Sequence, residues 1–195
     1  LVAEMKRSGE RRAYDCVVGV SGGCDSSFLI HEMVRLGVRP LAGHFDNTWN
    51  SPIATQNIYN VLNALKVDLE TLVVESEEFD DLVKAFVKSG LKETDAPTDI
   101  GLTTTMYHFA AKHRIPYIVE GHSFRTEGIS PLGWLYMDGR LIRDVHSKYG
   151  TVPMKSFPNL TLSKFLRWSA LGGFKRVRPL YFMDYRKEAA KELLS

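Results

Sequence analysis

The chain has 195 residues, of which 44% are hydrophobic, and its 25 basic and 23 acidic side chains give a formal net charge of +2. This length is enough for one α/β domain with a full hydrophobic core. The balanced charge gives no general argument for binding to nucleic acid or to an acidic polymer, and a local basic patch is left open. No apolar run approaches the roughly 20 residues that span a bilayer, so we expect no membrane partner.

Short apolar runs alternate with stretches of helical period, which is typical of a parallel sheet covered by helices. The predicted strands cover about residues 16–20, 41–45, 69–74, 116–120 and 177–182. The predicted helices cover about residues 25–36, 98–113 and 162–171, with further helices that begin at Ser51, end at Gly90 and begin at Asp184. The pattern predicts an α/β fold, with a doubly wound, mainly parallel five-stranded sheet and helices on both faces, as in Rossmann-like proteins.

A glycine-rich and weakly periodic stretch interrupts this alternation from residue 121 to about residue 160. Such a stretch is usually a functional loop or an insertion. We therefore expect a single domain over residues 1–195 with an irregular substrate-side insertion at about 121–160. The chain begins without methionine and stops within a helical pattern, so we also expect flanking segments beyond both ends.

The most informative motif lies between the first predicted strand and the first predicted helix, and it reads Ser21-Gly22-Gly23-Cys24-Asp25-Ser26-Ser27. Its glycines let backbone N–H groups approach a phosphate, its serine hydroxyls add donors, and the helix that follows directs its positive end to the same place. The motif lacks the lysine of a Walker loop and the third glycine of a dinucleotide fingerprint. The alternative is an ordinary turn in which Asp25 or Ser26 caps the helix.

Polar residues also follow the second and fourth predicted strands, at the edge where open parallel sheets bind their ligands. Asp46 and Asn47 follow the second strand, and Gly121 and His122 follow the fourth, with Glu127 shortly after them. Each pair has a structural alternative. Asp and Asn are favoured turn residues, and a lone histidine is often a hydrogen-bonded structural residue.

A basic segment, Lys-Arg-Val-Arg-Pro-Leu, covers residues 175–180 near the end of the chain. A guanidinium at Arg178 would stabilise negative charge on a bound group, and electrostatic stabilisation is usually the largest catalytic contribution. The alternative is a solvated basic face.

The glycine-serine motif resembles the hallmark loop of the PP-loop ATP pyrophosphatases, a superfamily of adenine nucleotide alpha hydrolase-like proteins. Gly121-His122 and Arg178-Pro179-Leu180 resemble two further elements of that superfamily. The resemblance implies that ATP and Mg²⁺ bind and that ATP is cleaved between its α- and β-phosphates. The implied ATP-binding residues are Ser21, Gly22, Gly23, Cys24, Asp25, Ser26, Ser27, Asp46, Asn47 and Gly121. The implied catalytic residues are Asp25, Ser26, His122 and Arg178, and the implied magnesium ligands are Asp25 and Glu127.

Residues 45–47, 95–101 and 115–121 look like segments of the N-acetyl sugar amidotransferases of surface-polysaccharide (lipopolysaccharide) biosynthesis. This resemblance implies that ATP activates an acetamido oxygen of a nucleotide sugar and that a glutaminase subunit supplies ammonia. A homodimer is left open. The aromatic side chains Trp134, Tyr136 and Tyr149 are candidates for a sugar platform, with ordinary packing as the alternative.

Two other functions remain open, namely a tRNA-modifying PP-loop enzyme of the thiolase or lysidine-synthetase type and a non-catalytic module that binds ATP or AMP. The two cysteines, Cys16 and Cys24, suit neither a disulfide framework nor a zinc site, so we expect the reducing cytoplasm. Cys24 is interpreted as a small filler of the loop. The shortage of thiols favours nitrogen over sulfur as the nucleophile.

Overall fold

The computed structural model describes residues 1–122 and 138–194, which form a five-stranded sheet flanked by helices. The strands are β1 (Cys16–Gly19), β2 (Pro40–Asp46), β3 (Leu69–Val73), β4 (Tyr117–Val119) and β5 (Lys175–Val177). The helices are α1 (Val2–Gly9), α2 (Cys24–Arg35), α3 (Pro52–Leu65), α4 (Ser76–Ser89), α5 (Ala96–Lys112), α6 (Gly139–Tyr149), α7 (Leu162–Leu166) and α8 (Lys187–Leu194). A π-helical turn (Arg167–Leu171) continues α7, and a 3₁₀ turn (Pro179–Tyr181) follows β5.

The strand order is β3-β2-β1-β4-β5, and every neighbouring pair is parallel. The chain adds strands on one side of β1 as far as β3 and then crosses to the other side of β1 for β4. This confirms the predicted doubly wound parallel sheet. The change of direction opens a crevice between the carboxyl ends of β1 and β4, where open α/β sheets bind their ligands.

Alternate residues of the strands face two separate hydrophobic cores, because successive side chains of a strand point to opposite faces. Val17 and Ile118 belong to the core that packs against α4, α5 and α6. Val18 and Val119 belong to the core that packs against α1, α2, α3 and α8. The helices therefore cover both faces of the sheet, as the sequence predicts.

Local sequence signals determine several helix ends. The Ser51 hydroxyl accepts a hydrogen bond from the Ala54 N–H at 3.2 Å, and Pro52 is the first residue of α3. Gly37 follows α2 and Gly90 follows α4, with left-handed φ angles of 70° and 68°. Within the described ranges, none of the helices combines the length and the apolar character that a bilayer crossing needs.

Three predictions for the C-terminal part were wrong in detail. The stretch expected to be irregular contains α6, whose N-cap Asp138 accepts hydrogen bonds from two backbone N–H groups at 2.9 Å. The last strand covers Lys175–Val177 and stops before Pro179, because proline has no N–H to extend a strand and instead opens the 3₁₀ turn. The last helix begins at Lys187, three residues after the predicted cap Asp184.

Candidate functional site

The loop between β1 and α2 has the backbone geometry of a tight turn into a helix. Gly22 has a φ of 75°, and a Cβ at this position would lie 2.2 Å from the carbonyl oxygen of Ala54 in α3. Gly23 is the N-cap of α2, and no side chain accepts a hydrogen bond there. Asp25 and Ser26 therefore lie in the first turn of the helix and do not cap it. The loop presents the positive end of α2 without a side-chain cap.

Hydrogen bonds within the loop fix the position of its serines. The Ser26 hydroxyl donates to the carbonyl oxygen of Gly23 at 3.1 Å and accepts from the Ser21 N–H at 3.3 Å. The hydroxyl oxygens of Ser21 and Ser26 are also 3.3 Å apart. The two hydroxyl groups thus lie side by side at the carboxyl end of β1.

The end of β4 packs directly against this loop. A Cβ on Gly121 would lie 3.5 Å from the backbone nitrogen of Ser26, so a side chain as small as a methyl group would fill the space between the two backbones. His122 follows at the same edge of the sheet and lines the same cavity as Ser26. The structure therefore brings Gly121 and His122 next to the loop, as expected from the order of the strands.

Two arginines from β5 and its end share one carboxylate from the end of β4. Arg176 donates from Nε to Oε1 of Glu120 at 2.6 Å, and Arg178 donates from Nε to Oε2 at 3.0 Å. Burial would lower the pKa of Arg178, but its hydrogen bond to Glu120 raises that pKa above the ordinary value for arginine. The carboxylate thus holds two permanently charged guanidinium groups at the site.

These elements surround a cavity of about 780 Å³ at the carboxyl edge of the sheet, a size typical of small-molecule sites. Its lining comes from the β1 end, the first turn of α2, the β4 end, the β5 end, α5 and the segment around α7. The polar lining residues are Ser21, Asp25, Ser26, Asp99, Thr103, Glu120, His122, Asp138, Arg176 and Arg178. Six of the predicted site residues lie here, namely Ser21, Asp25, Ser26, Gly121, His122 and Arg178.

Apolar side chains from α5 and from residues 160–165 form the opposite wall of the cavity. The wall contains Ile100, Leu102, Met106, Leu160, Leu162 and Phe165. A glycine at 101 brings the start of α5 close to the sheet, since a Cβ there would lie 2.4 Å from the ring of Phe45. No sequence motif indicates this wall. Its only signal is the helical period of α5.

Asp46 and Asn47 form a turn at the end of β2. The Asp46 carboxylate accepts hydrogen bonds from the Thr48 N–H at 2.8 Å and from the Asn50 amide at 3.0 Å. The Asn47 amide oxygen accepts from the Trp49 N–H at 3.1 Å. Neither residue is among the described residues that line the cavity. Gly22, Gly23, Cys24 and Ser27 are likewise outside that lining and shape the loop instead.

The C-terminal segment lies against the first turn of α2. The Tyr185 hydroxyl donates a short hydrogen bond to Oδ1 of Asp25, and the Tyr185 ring packs against Phe28 with a centroid distance of 5.1 Å. Burial and the neighbouring carboxylate raise the pKa of Tyr185 far above its ordinary value. The Cys24 thiol points to the carbonyl oxygen of Lys187 at 3.8 Å, which agrees with a filling role.

Two carboxylates of α4 anchor the segment that leads from α6 to the apolar wall. Glu78 accepts hydrogen bonds from the N–H groups of Ser156 and Phe157, at 2.8 and 2.7 Å. Asp81 accepts from the Thr151 and Val152 N–H groups, at 2.7 and 3.0 Å. Burial would raise the pKa of Asp81, but these donors and the Thr151 hydroxyl lower it to about 2.

The residues for a metal ion fall partly outside the described ranges. Among residues 1–122 and 138–194, no group of three or more His, Cys, Asp or Glu side chains is arranged to hold a metal ion. Asp25 lines the cavity, whereas the second expected ligand, Glu127, lies outside the described residues. Trp134 and Tyr136 also lie outside them, and Tyr149 is exposed at the end of α6.

No protein-family profile matches the chain, and no curated protein matches it. Solved structures do match over most of its length. NMN synthetase from Francisella tularensis is 15% identical, with 89% of this chain and 68% of that chain covered and a TM-score of 0.48. A predicted subunit of tRNA methyltransferase from Methanocaldococcus jannaschii is 13% identical, with 92% and 73% covered and a TM-score of 0.50.

The U34-tRNA thiolase NcsA from Methanococcus maripaludis is 11% identical, with a TM-score of 0.53. The match covers 99% of this chain but only 64% of the thiolase, so the chain spans less than two thirds of that enzyme. At these levels of identity, the likeness to the methyltransferase subunit and the thiolase concerns the fold alone. It confirms the α/β, Rossmann-like fold class that the sequence predicts.

Proposed function

We propose that this protein is a PP-loop ATP-dependent synthetase, which transfers the adenylyl group of ATP to a carbonyl or amide oxygen of an acceptor and releases pyrophosphate. A nitrogen nucleophile then displaces AMP. The observation that carries the proposal is the cavity at the crevice between β1 and β4. There the uncapped start of α2, the paired hydroxyls of Ser21 and Ser26, and the guanidinium groups of Arg176 and Arg178 line one space.

The residues at the sheet edge fit the phosphates of a nucleotide. Backbone N–H groups at a helix start and neighbouring hydroxyls are donors for phosphate oxygens. Arginine adds a planar fork of donors that matches a phosphate group and that stays charged at every physiological pH. The apolar wall from α5 and residues 160–165 provides a surface for a base or for an acceptor.

Each residue has a distinct part in the proposed reaction. Ser21, Ser26 and the start of α2 bind and orient the phosphate chain, so that the acceptor oxygen meets the α-phosphorus in line with the departing pyrophosphate. Arg178 and Arg176 stabilise the charge that accumulates on pyrophosphate as the P–O bond breaks. His122 lies at the same edge, within the cavity, where it would orient the acceptor.

Magnesium fits the donor set at one position. Asp25 offers a carboxylate oxygen at the cavity, and Mg²⁺ is usually held by one or two carboxylates together with substrate phosphates and water. When bound, the ion would neutralise phosphate charge. Asp25 would then be the residue that ties the ion to α2, with Glu127 as the proposed second ligand.

For the acceptor, we propose an N-acetylated nucleotide sugar of surface-polysaccharide biosynthesis. Its acetamido oxygen would attack the α-phosphorus, and ammonia would then add to the acetamido carbon while AMP leaves with the oxygen, which yields an acetamidine. A glutaminase subunit is the proposed source of ammonia, and the cytoplasm is the proposed location. These proposals rest on the sequence resemblance together with the polar and apolar lining of the cavity.

Sulfur transfer has weak support in this chain. Cys16 is fully buried within β1, and Cys24 points away from the cavity lining towards Lys187. Neither thiol is placed to carry sulfur to an acceptor. Nitrogen transfer needs no thiol, so it is the preferred second step.

The test is a pyrophosphate-release assay with Mg²⁺, ATP and ammonia, in which N-acetylated nucleotide sugars are compared with bulk tRNA. We expect release to depend on a nucleotide sugar. The Asp25→Asn and Ser26→Ala variants should lose most of this activity, whereas the matched variants Asp144→Asn and Ser147→Ala, on the exposed side of α6, should retain it.

Three results would change the proposal. Release with tRNA alone would replace the sugar acceptor by RNA. Tight ATP binding without pyrophosphate release from any acceptor would leave a binding module and reject the synthetase. Absence of ATP binding would reject the proposed function entirely.

A further inference from the structure

The hydrogen bond between Tyr185 and Asp25 joins two parts of the chain that are 160 residues apart. Asp25 lies in the first turn of α2 and lines the cavity, whereas Tyr185 lies just before α8 and is only 2% exposed. A buried phenol that donates to a carboxylate at a cavity wall restricts where that carboxylate can point. Charge-assisted bonds of this kind are about twice as strong as neutral ones.

Other side chains already attach this segment to the domain. Leu180 and Ala190 are fully buried in the core that α2 shares, and the Tyr185 ring contacts Phe28. The hydroxyl group therefore contributes little to packing. It donates a hydrogen bond to the carboxylate that lines the cavity.

The same segment begins at Arg178, which lines the cavity on the β5 side. Residues 178–187 thus reach the site at two points, through a guanidinium at one end and through the Tyr185 hydroxyl near the other. The Cys24 thiol, next to Asp25, lies 3.9 Å from the same hydroxyl and 3.8 Å from the Lys187 carbonyl. The first turn of α2 is held in place by the C-terminal segment.

We propose that Tyr185 is a positioning residue that holds the Asp25 carboxylate in its orientation for binding the magnesium complex of ATP. This inference rests on the proposed function and extends it to a residue that no motif indicates. The tyrosine touches neither substrate nor metal in this scheme and acts only through Asp25.

Isothermal titration calorimetry in the presence of Mg²⁺ would compare the affinity for ATP of the wild type with that of two tyrosine variants. Tyr185→Phe removes one oxygen and keeps the ring against Phe28, so we expect about tenfold weaker binding with a nearly unchanged melting temperature. Tyr59→Phe, on an exposed face of α3, is the matched loss of a hydroxyl and should bind as the wild type does.

A double-mutant cycle separates positioning from general damage. In the Asp25→Asn background, Tyr185→Phe should weaken binding further by less than twofold, because the group that it positions is gone. Equal losses in both backgrounds would overturn the inference. So would an unchanged affinity of Tyr185→Phe in a protein whose wild type binds ATP.

A second variant tests whether lost packing, and not lost positioning, explains a weaker affinity for ATP. Phe28→Leu removes the ring contact and keeps the hydroxyl, so it should lower the melting temperature while affinity falls by less than twofold. If Phe28→Leu weakens ATP binding as much as Tyr185→Phe does, the positioning role is rejected. If the wild type binds no ATP, the proposed function fails and this inference fails with it.

Discussion

Arg178 donates a hydrogen bond from Nε to Oε2 of Glu120 at 3.0 Å, across the boundary between β5 and β4. The side chain of Glu120 is 14% exposed, whereas that of Arg178 is 41% exposed. The carboxylate therefore lies behind the guanidinium, which faces the cavity. An arginine supported in this way is held in place before a phosphate arrives, so less conformational entropy is lost on binding.

Replacing Arg178 by alanine should lower acceptor-dependent pyrophosphate release by about 10²- to 10³-fold, the usual effect of removing one preorganised charge-stabilising group. Arg178→Lys should not restore the rate. The planar guanidinium can donate to Glu120 and to a phosphate at the same time, whereas the compact ammonium of lysine lacks this fork of donors. Steady-state kinetics would measure both variants.

The control is Arg35→Ala at the far end of α2, where the arginine also pairs with a glutamate, Glu32, at 2.7 Å. This variant should release pyrophosphate at the wild-type rate. A normal rate for Arg178→Ala would remove Arg178 from the proposed mechanism.

A methyl group at position 22 should destabilise the loop in two ways. Gly22→Ala forces a left-handed φ on a residue with a Cβ and drives that Cβ to 2.2 Å from the Ala54 carbonyl oxygen. Together these effects should lower the free energy of unfolding by about 3 kcal/mol. Urea denaturation would measure the loss, and ATP binding should fall with it.

Gly90→Ala provides the matched comparison, because Gly90 has a φ of 68° with nothing within 4 Å of an added Cβ. Its cost should be about 1 kcal/mol, from the left-handed backbone alone. Equal costs at positions 22 and 90 would mean that α3 yields to the added methyl group.

The stability that Asp81 contributes should depend on pH. Its pKa is lowered to about 2 in the folded protein, against about 3.9 for an unperturbed aspartate. The contribution, about 2 kcal/mol, is therefore fully present above the unfolded pKa and is lost as the pH falls from about 4 towards 2.

Urea denaturation between pH 6 and pH 3 would test this linkage. The difference in free energy of unfolding between the wild type and Asp81→Asn should shrink as the pH falls. Asp144→Asn, at an exposed carboxylate of α6, should show no such trend. A constant difference for Asp81→Asn would contradict the assignment.

Ser51→Ala should destabilise α3 by about 1 kcal/mol, because the Ala54 N–H loses its cap. The first turns of α3 also support the phosphate loop, since the Asn57 amide donates to the carbonyl oxygen of Gly22 at 3.3 Å. Thermal denaturation should show the loss, and Ser51→Asp, which retains a capping oxygen, should recover most of it. No recovery would mean that the serine acts through something other than its cap.

The parallel sheet and the turn between β1 and α2 were predictable because local sequence determines them. Apolar runs indicate β1 and β2, and the cap at Ser51 marks the start of α3 without help from distant residues. The α6 helix was missed because its apolar side chains, Leu141, Ile142 and Val145, are few and lie among glycines. Its stability comes from burial of Ile142 and Val145 against α4.

The composition of the cavity depended on tertiary structure and so was only partly predictable. Ser26 and Gly121 follow strands, and strand order alone places them together. Asp46 is the last residue of β2, yet its carboxylate accepts hydrogen bonds from the Thr48 N–H and the Asn50 amide of its own turn. Whether such a residue faces a ligand or its own turn depends on backbone and side-chain torsion angles, which no spacing rule specifies.

The hydrogen bonds from α4 to residues 151–157 support the apolar wall independently of the loop between β1 and α2. The chain from Thr151 to Phe157 is fastened to α4 through Glu78 and Asp81, on one face of the sheet. The loop at Gly22 rests on α3, on the other face. Substitutions at Leu160, Leu162 or Phe165 would therefore alter the apolar wall without disturbing the contact between the Gly22 loop and α3. The apolar wall and the loop at Gly22 are supported by different helices on different faces of the sheet. One of them can therefore be redesigned while the other stays constant.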